Sequence, residues 1–361
     1  MTSLPRYRRI VVKVGTNVLT TAEGLLNETV MTSLVEQIAD LKKQNIDVIL
    51  VSSGAMSAGR AIVKPAKKLS SVAARQVLAA VGQVELMHRY SLKFRKMDCI
   101  CAQVLASKED FRDRQHYLNM RDCFTALLQE KIVPVVNEND VVSVNELMFT
   151  DNDELAALIA SMVNADALIL LTSVDGILIQ NDDGTSAVLR TAERDIDWKS
   201  HLKPEKSSFG RGGMQTKCRN AQRLAGLGIT THIAKGTEPD ILGKILAGKE
   251  FGTVFPGKKK AASSVKRWVA ENEGSEKGVV IVNVCARDIL SSKEKSVSLL
   301  PVGVVKIDGD FVKGDVVRIK DELGKDVGLG IAQYAAGPAR DAMGKKNQKA
   351  LVHCDYLYLF P

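Results

Sequence analysis

Short runs of β-branched and aliphatic residues alternate with longer helical patterns as far as residue 255, and this alternation constrains the fold more than any other feature. RRIVVKVG, IDVILVSSG, KIVPVVNEND, DALILLTSVDG and ITTHIAKG read as strands, each ending in Gly, Ser, Asn, Asp or Lys. VMTSLVEQIADLKKQ and RNAQRLAGLG read as helices between them. The pattern predicts an α/β fold, an open and mainly parallel sheet sandwiched by helices. Ligands of such sheets bind outside the carboxyl ends of the strands.

The texture changes after Phe255. PGKKKAASS reads as linker, and from about Gly278 short strands with Gly-Asp turns follow, as in VVKIDGDFVKGDVVRIKDELG. The expected organisation is a first domain over 1–255, a linker over 256–274 and a small all-β domain over 275–361. A length of 361 residues agrees with two cores. GTVFPGKK, Gly252 to Lys259, nearly matches a P-loop, but it ends in Lys where Ser or Thr is needed and no helical pattern follows.

Several classes are excluded early. Apolar residues make up 45% and charged residues 25%, a globular balance. No apolar run reaches the roughly 18 residues of a membrane span. Lys13 interrupts the only N-terminal apolar run, so neither a secretory signal nor a membrane is expected, and the chain reads as cytoplasmic. The six cysteines, Cys99 and Cys101 among them, contain no C-x-x-C pair and are expected reduced and mostly buried. The five histidines are scattered, so neither a metal cluster nor a Ser-His or Cys-His dyad can be argued from the sequence. The net charge of +8 permits an acidic or nucleic-acid partner, although solvated surface lysine explains it as well.

Chemistry-bearing residues gather at the strand ends. In VVKVGTNVLT, Lys13 precedes Gly15 at the end of a buried-looking strand, where its ammonium must reach water or an anion. In LVSSGAMSAGR, the strand ends in Ser52, Ser53 and Gly54, and the small residues after them fit either a tight turn or the close approach of a ligand. FTDNDELAALIASMV has apolar residues at helical spacing, so Asp151, Asn152 and Asp153 crowd a helix N-terminus, with Asp151 and Glu154 spaced as a capping box. With Asn137 and Asp140 of NENDVV, they could bind an ammonium, orient lysines or hold magnesium through water.

FGRGGMQTK offers Gly212 and Gly213 as bare N–H donors, with Lys217 in the first turns of the helix that follows. Together with Lys13 it suggests two cations bracketing a transferring phosphoryl group.

Through VVKVGTNVLT, VSSGAMSAGR, RQVLAAVGQ, PVVNENDVV, TDNDELAALIA, GGMQTK and GDFVKGDVV, in order along nearly the whole chain, the sequence resembles the glutamate 5-kinase family, an amino-acid kinase domain followed by a PUA domain. The resemblance implies ATP-dependent phosphorylation of the L-glutamate γ-carboxylate, the first step of proline biosynthesis. It assigns Lys13 and Lys217 to the ATP phosphates, with Arg211, Gly212, Gly213, Met214, Gln215 and Thr216 in the nucleotide loop and Thr172 and Ser173 on the nucleotide side. Ser53, Asn137, Asp140 and Asn152 would bind glutamate. Asp153 would orient the two lysines, supported by Asp151. The sequence departs from the family where Thr-Asp is usual and Thr172-Ser173 stands, and where Arg211 replaces the common Thr before Gly-Gly.

A glutamate carboxylate, with a reference pKa of about 4.3, is ionised at neutrality, so attack on ATP needs no general base. The resemblance further implies Mg²⁺ with the ATP, feedback inhibition by proline, a glutamyl phosphate reductase partner and a homo-oligomer, dimer or tetramer. RNA binding by the PUA-like domain has no motif behind it. Two other readings keep the fold: an amino-acid kinase with a different carboxylate or phosphate acceptor, and an inactive regulatory or RNA-binding relative.

Overall fold

The computed structural model describes residues 7–64, 69–143, 149, 151–180, 185–192, 213–258, 263–292 and 297–360. The chain divides into two compact units, Met1–Ala261 and Ala262–Pro361.

The first unit is built on seven strands: β1 (Arg9–Val14), β2 (Asp47–Ser52), β3 (Cys101–Ala106), β4 (Val133–Glu138), β5 (Ala167–Thr172), β8 (Thr230–Lys235) and β9 (Thr253–Phe255). A separate hairpin pairs β6 (Leu178–Gln180) with β7 (Ser186–Val188). The spatial order is β3-β4-β2-β1-β5-β8-β9, parallel throughout except for the antiparallel β8–β9 pair at one edge. Parallel strands point one way, so the carboxyl ends of β1, β2, β4 and β5 meet on the same edge of the sheet.

The helices on this sheet are α1 (Thr16–Leu19), α2 (Glu28–Lys43), α3 (Ala55–Ile62), α4 (Ser71–Lys96), α5 (Glu109–Arg112), α6 (Arg114–Gln129), α7 (Asn152–Met162) and α8 (Met214–Gly226). Side chains alternate across a strand, so β1 serves two layers. Ile10, Val12 and Val14 join a core with Met31, Leu34 and Val35 of α2. Val11 and Lys13 take the opposite face, where α7 packs. The sequence predicts a one-sided apolar stripe on α7, yet every residue from Leu155 to Met162 is buried. Ala156, Ala157, Ala160 and Ser161 are small enough for the helix to be enclosed by β1, β2, β4 and β5 on one side and α8 on another.

Helices α3 and α4 meet backbone to backbone. A Cβ on Gly82 would lie 1.7 Å from the Ala55 carbonyl oxygen, and one on Gly59 would lie 2.0 Å from that of Leu78. This contact sets the distance between the start of α3, just after Ser53, and the middle of α4.

Strand β3 escaped the sequence pattern because it is a half-exposed edge, paired only with β4. The cysteines are all free, as expected, but only Cys218 is buried, because the rest lie on the sheet edge, helix surfaces and the second unit.

The second unit carries a five-stranded mixed sheet in the order Val304–Gly309, Gly278–Val282, Val316–Asp321, Asp326–Ala332 and Val352–Leu359. It also carries the helices Ser264–Glu271, Val284–Ser291 and Ala336–Ala342. The first of these falls within the stretch read as linker and packs on the strand Val352–Leu359. No helix among the described residues is long and apolar enough to cross a membrane.

Gly82→Ala is expected to destabilise the chain by about 3 kcal/mol, since a methyl group must displace main chain. Gly226→Ala, at the last residue of α8 with open space around it, should be neutral or stabilising by a few tenths of a kcal/mol. Urea unfolding of the two variants measures the contrast.

Candidate active site

Lys13 reaches the site from β1, the strand flanked by β2 and β5. Its ammonium lies 2.5 Å from Oδ1 of Asp153, and that of Lys217 lies 2.7 Å from Oδ2 of the same carboxylate. One carboxylate thus holds two cations, one on each oxygen. The Asp153 side chain is fully buried, and those of Lys13 and Lys217 are only 7% and 12% exposed. Burial alone would raise the Asp153 pKa, but the Lys13 and Lys217 ammonium groups outweigh it and hold the acid below its ordinary value.

Local structure explains why Asp153 can sit there. Asp151 caps α7, its Oδ1 accepting from the backbone N–H groups of Asp153 and Glu154 at 2.9 and 3.0 Å. Asp153 then occupies the first turn, where the helix dipole favours a negative charge. The Asp151 pKa is raised, first by burial and then by the Asp153 charge beside it. Glu154, next in the turn, pairs with Lys108 at 2.8 Å.

A second group of polar residues adjoins the first. Asn152 donates from Nδ2 to Ser53 Oγ and to Asn137 Oδ1, both at 2.9 Å. Asn137, on β4, donates in turn to Gln83 Oε1 of α4 at 2.9 Å. Asp140, two residues beyond β4, faces Arg75 of α4, with Nε 3.7 Å from Oδ1. Gln83, Glu138 and Asp140 line a cleft of about 260 Å³. Ser53, Asn137 and Asn152 are therefore joined by hydrogen bonds, while Asp140, assigned with them to glutamate, faces Arg75. Gln83 and Arg75 were missed, although Gln83 ends the quoted motif RQVLAAVGQ; a glutamine on a helix gives no sign of its partner.

The third group is the start of α8. Gly213 is its N-cap, and Met214, Gln215, Thr216 and Lys217 are its first four residues. Arg211 and Gly212 lie outside the described residues. Among the described residues no side chain caps α8 at Gly213 or α3 at Gly54, whereas Asn27, Ser70 and Asp113 cap α2, α4 and α6. Thr172 ends β5 and binds the turn after it through Oγ1 to Val174, and Ser173 is exposed.

This arrangement fits a polyphosphate. A Cβ on Gly15 would lie 3.3 Å from Lys13 Nζ, so glycine there leaves the ammonium open to an anion. The start of α8, which carries Lys217, supplies backbone N–H groups of the kind that bind phosphate. The neighbouring thiol offers no alternative nucleophile, because burial pushes Cys218 up to about 12. The buried histidine His232 is bonded to Tyr7 Oη at 2.8 Å.

Asp153→Asn should destabilise the chain at pH 7 by about 3 kcal/mol, because two buried cations lose their counter-charge. The folded pKa of Asp153 is depressed, so its contribution is complete above the unfolded value of about 3.9 and fades as pH falls towards the folded one. The gap between wild type and variant in urea unfolding should narrow below about pH 4.5. A constant gap down to pH 3.5 contradicts this account of the clamp.

Comparison with known proteins agrees with the geometry. The amino acid kinase family profile matches residues 8–235, and the PUA domain profile matches residues 269–353. A glutamate 5-kinase of Chlorobaculum tepidum is 52% identical over 357 residues, covering 99% of both chains. One of Bacteroides thetaiotaomicron is 49% identical over 356 residues, covering 98% of this chain and 99% of that one. Among solved structures, carbamate kinase from Giardia lamblia bound to AMP-PNP superposes with a TM-score of 0.51 at 16% identity, over 70% of this chain and 99% of that one, a likeness of fold. Both domains stand in the order that the motifs imply, and the chain belongs to the amino acid kinase family, in the group of the glutamate 5-kinases.

Proposed function

We propose that the chain transfers the γ-phosphoryl group of ATP to the γ-carboxylate of L-glutamate, giving L-glutamyl 5-phosphate at the start of proline biosynthesis. The observation that carries this reading is the Asp153 carboxylate held between Lys13 and Lys217, beside the Ser53, Asn137 and Asn152 cluster. The near full-length identity to two glutamate 5-kinases supports the choice of acceptor.

In this reading Lys13 and Lys217 hold the phosphates of ATP, joined by the loop from Arg211 through Gly212, Gly213, Met214, Gln215 and Thr216, with Thr172 and Ser173 on the same side. Ser53, Asn137, Asp140 and Asn152 hold glutamate. Asp153 is the positioning residue that fixes both ammonium groups. Magnesium would come with the triphosphate, carried by phosphate oxygens and water because Asp153 is already neutralised, and would reduce the charge on the transferring group.

The nucleophile is a carboxylate that is ionised at neutrality, so the barrier is electrostatic: one anion must approach another. At about 4 Å and an effective dielectric of about 20, one opposite charge contributes roughly 4 kcal/mol, nearly three decades of rate. Positive charge fixed in advance serves because it need not reorganise during transfer.

The product is a reactive acyl phosphate, which favours capture by a glutamyl phosphate reductase. Proline would compete with glutamate, and a dimer or tetramer is the expected assembly. The chemistry is assigned to residues 1–255, and residues 275–361 would modulate it.

ATP consumption with glutamate, aspartate and N-acetylglutamate, with hydroxylamine trapping of the product, tests the assignment. Only glutamate should give a trapped hydroxamate at an appreciable rate; aspartate or N-acetylglutamate turning over faster would refute it. Lys217→Met should lower kcat by about two to three decades with little change in glutamate KM. Asn152→Ala should instead raise the glutamate KM more than about tenfold. The reverse pattern would exchange the two roles.

A further inference from the structure

The hydrogen bonds around Asn152 have a fixed sense. Asn137 Oδ1 accepts from the backbone N–H of Glu138 at 2.9 Å, and a main-chain N–H can only donate. The same oxygen accepts from Asn152 Nδ2, so Asn137 must turn its own Nδ2 to Gln83, whose Oε1 accepts it. The Asn137 amide is therefore held at one end by main chain and at the other by Gln83.

This sense decides what the cluster offers a ligand. Asn152 spends Nδ2 on Asn137 and Ser53, which leaves Oδ1 as its accepting end. Ser53 Oγ accepts from Asn152 and keeps its own hydrogen to donate. One acceptor beside one donor suits the ammonium and carboxylate of an amino acid.

Without the Gln83 oxygen, the buried Asn137 Nδ2 loses its acceptor, and the amide is held only at its Oδ1 end. An amide free at that end can tilt and shift the oxygen on which Asn152 Nδ2 rests. The backbone makes Gln83 a firm anchor. It follows Gly82, whose missing side chain lets α4 touch the Ala55 carbonyl of α3, and α3 begins just after Ser53. The two ends of the hydrogen-bonded chain, Ser53 and Gln83, are thus tied together by one helix contact.

We propose that Gln83 is a positioning residue for the amino-acid substrate: its Oε1 anchors the Nδ2 end of the Asn137 amide, and through it the placement of Asn152 and Ser53. The proposal rests on the glutamate kinase reading.

The test is a double-mutant cycle on the full-length chain with Gln83→Met, which nearly conserves volume, and Asn137→Ala. Gln83→Met alone should raise the glutamate KM about tenfold and leave kcat within about threefold. In the Asn137→Ala background it should change KM by less than about twofold, since its route to substrate is gone. Thermal melting checks folding, and Gln83→Ala, which removes the same oxygen, replaces Gln83→Met if that variant does not fold. An unchanged KM, a loss in kcat alone, or full additivity with Asn137→Ala overturns the proposal. Wild-type chain that consumes no ATP with glutamate overturns the functional reading and this inference with it. Active wild type beside a silent Gln83→Met overturns this inference alone.

Discussion

The buried carboxylate of Asp153 and the two ammonium groups on its oxygens are the interaction on which the rest of the site depends. Three like-minded requirements meet there. The acid needs counter-charge to be buried, the lysines need an anion to be held still, and an incoming phosphate needs the lysines incompletely satisfied. Each oxygen of Asp153 holds one ammonium, and the Asp151 carboxyl lies near enough for its charge to interact with both lysines.

Three separate elements of the first unit place those side chains. Strand β1 delivers Lys13 to the face away from the α2 core. The Asp151 cap starts α7 at the one position that puts Asp153 in its first turn. Helix α8 brings Lys217 in from its own first turn. On the neighbouring side, the glycine contact between α3 and α4 sets Ser53 and Gln83 at the two ends of one hydrogen-bonded chain. Charge is thus concentrated on one side of Asn152 and directional hydrogen bonding on the other, as expected where one substrate is a polyphosphate and the other an amino acid.

Much of this was legible in the sequence. Lys13, Asp153 and Lys217 were marked by their places at a strand end and at helix starts, but each also had an ordinary structural explanation and the family motifs assigned the roles; the alternation of strands and helices indicated where those ends would meet. Asn137, Asn152 and Ser53 were legible as polar groups at strand ends and a helix start, but their assignment to glutamate came from the family motifs, because amides and hydroxyls at turns have ordinary structural uses. Gln83 and Arg75 were illegible, since their roles exist only once α4 lies against β4 and the loop after it. Strand β3 was missed, and the incomplete burial of Cys99, Cys101, Cys123, Cys285 and Cys354 misread, for a related reason: a polar-spotted edge strand and a thiol near the surface carry no periodic signal.

The central claim is that Asp153 acts by holding positive charge where the transferring phosphoryl group develops its own. Affinity for a transition-state mimic measures that directly, because catalytic charge must bind the transition state better than the ground state. ADP with aluminium fluoride and glutamate should bind the wild type more tightly than ATP does by about two decades or more. Asp153→Asn should lose most of that margin while binding glutamate nearly as well as wild type. A variant that is folded and keeps the full margin would contradict the account.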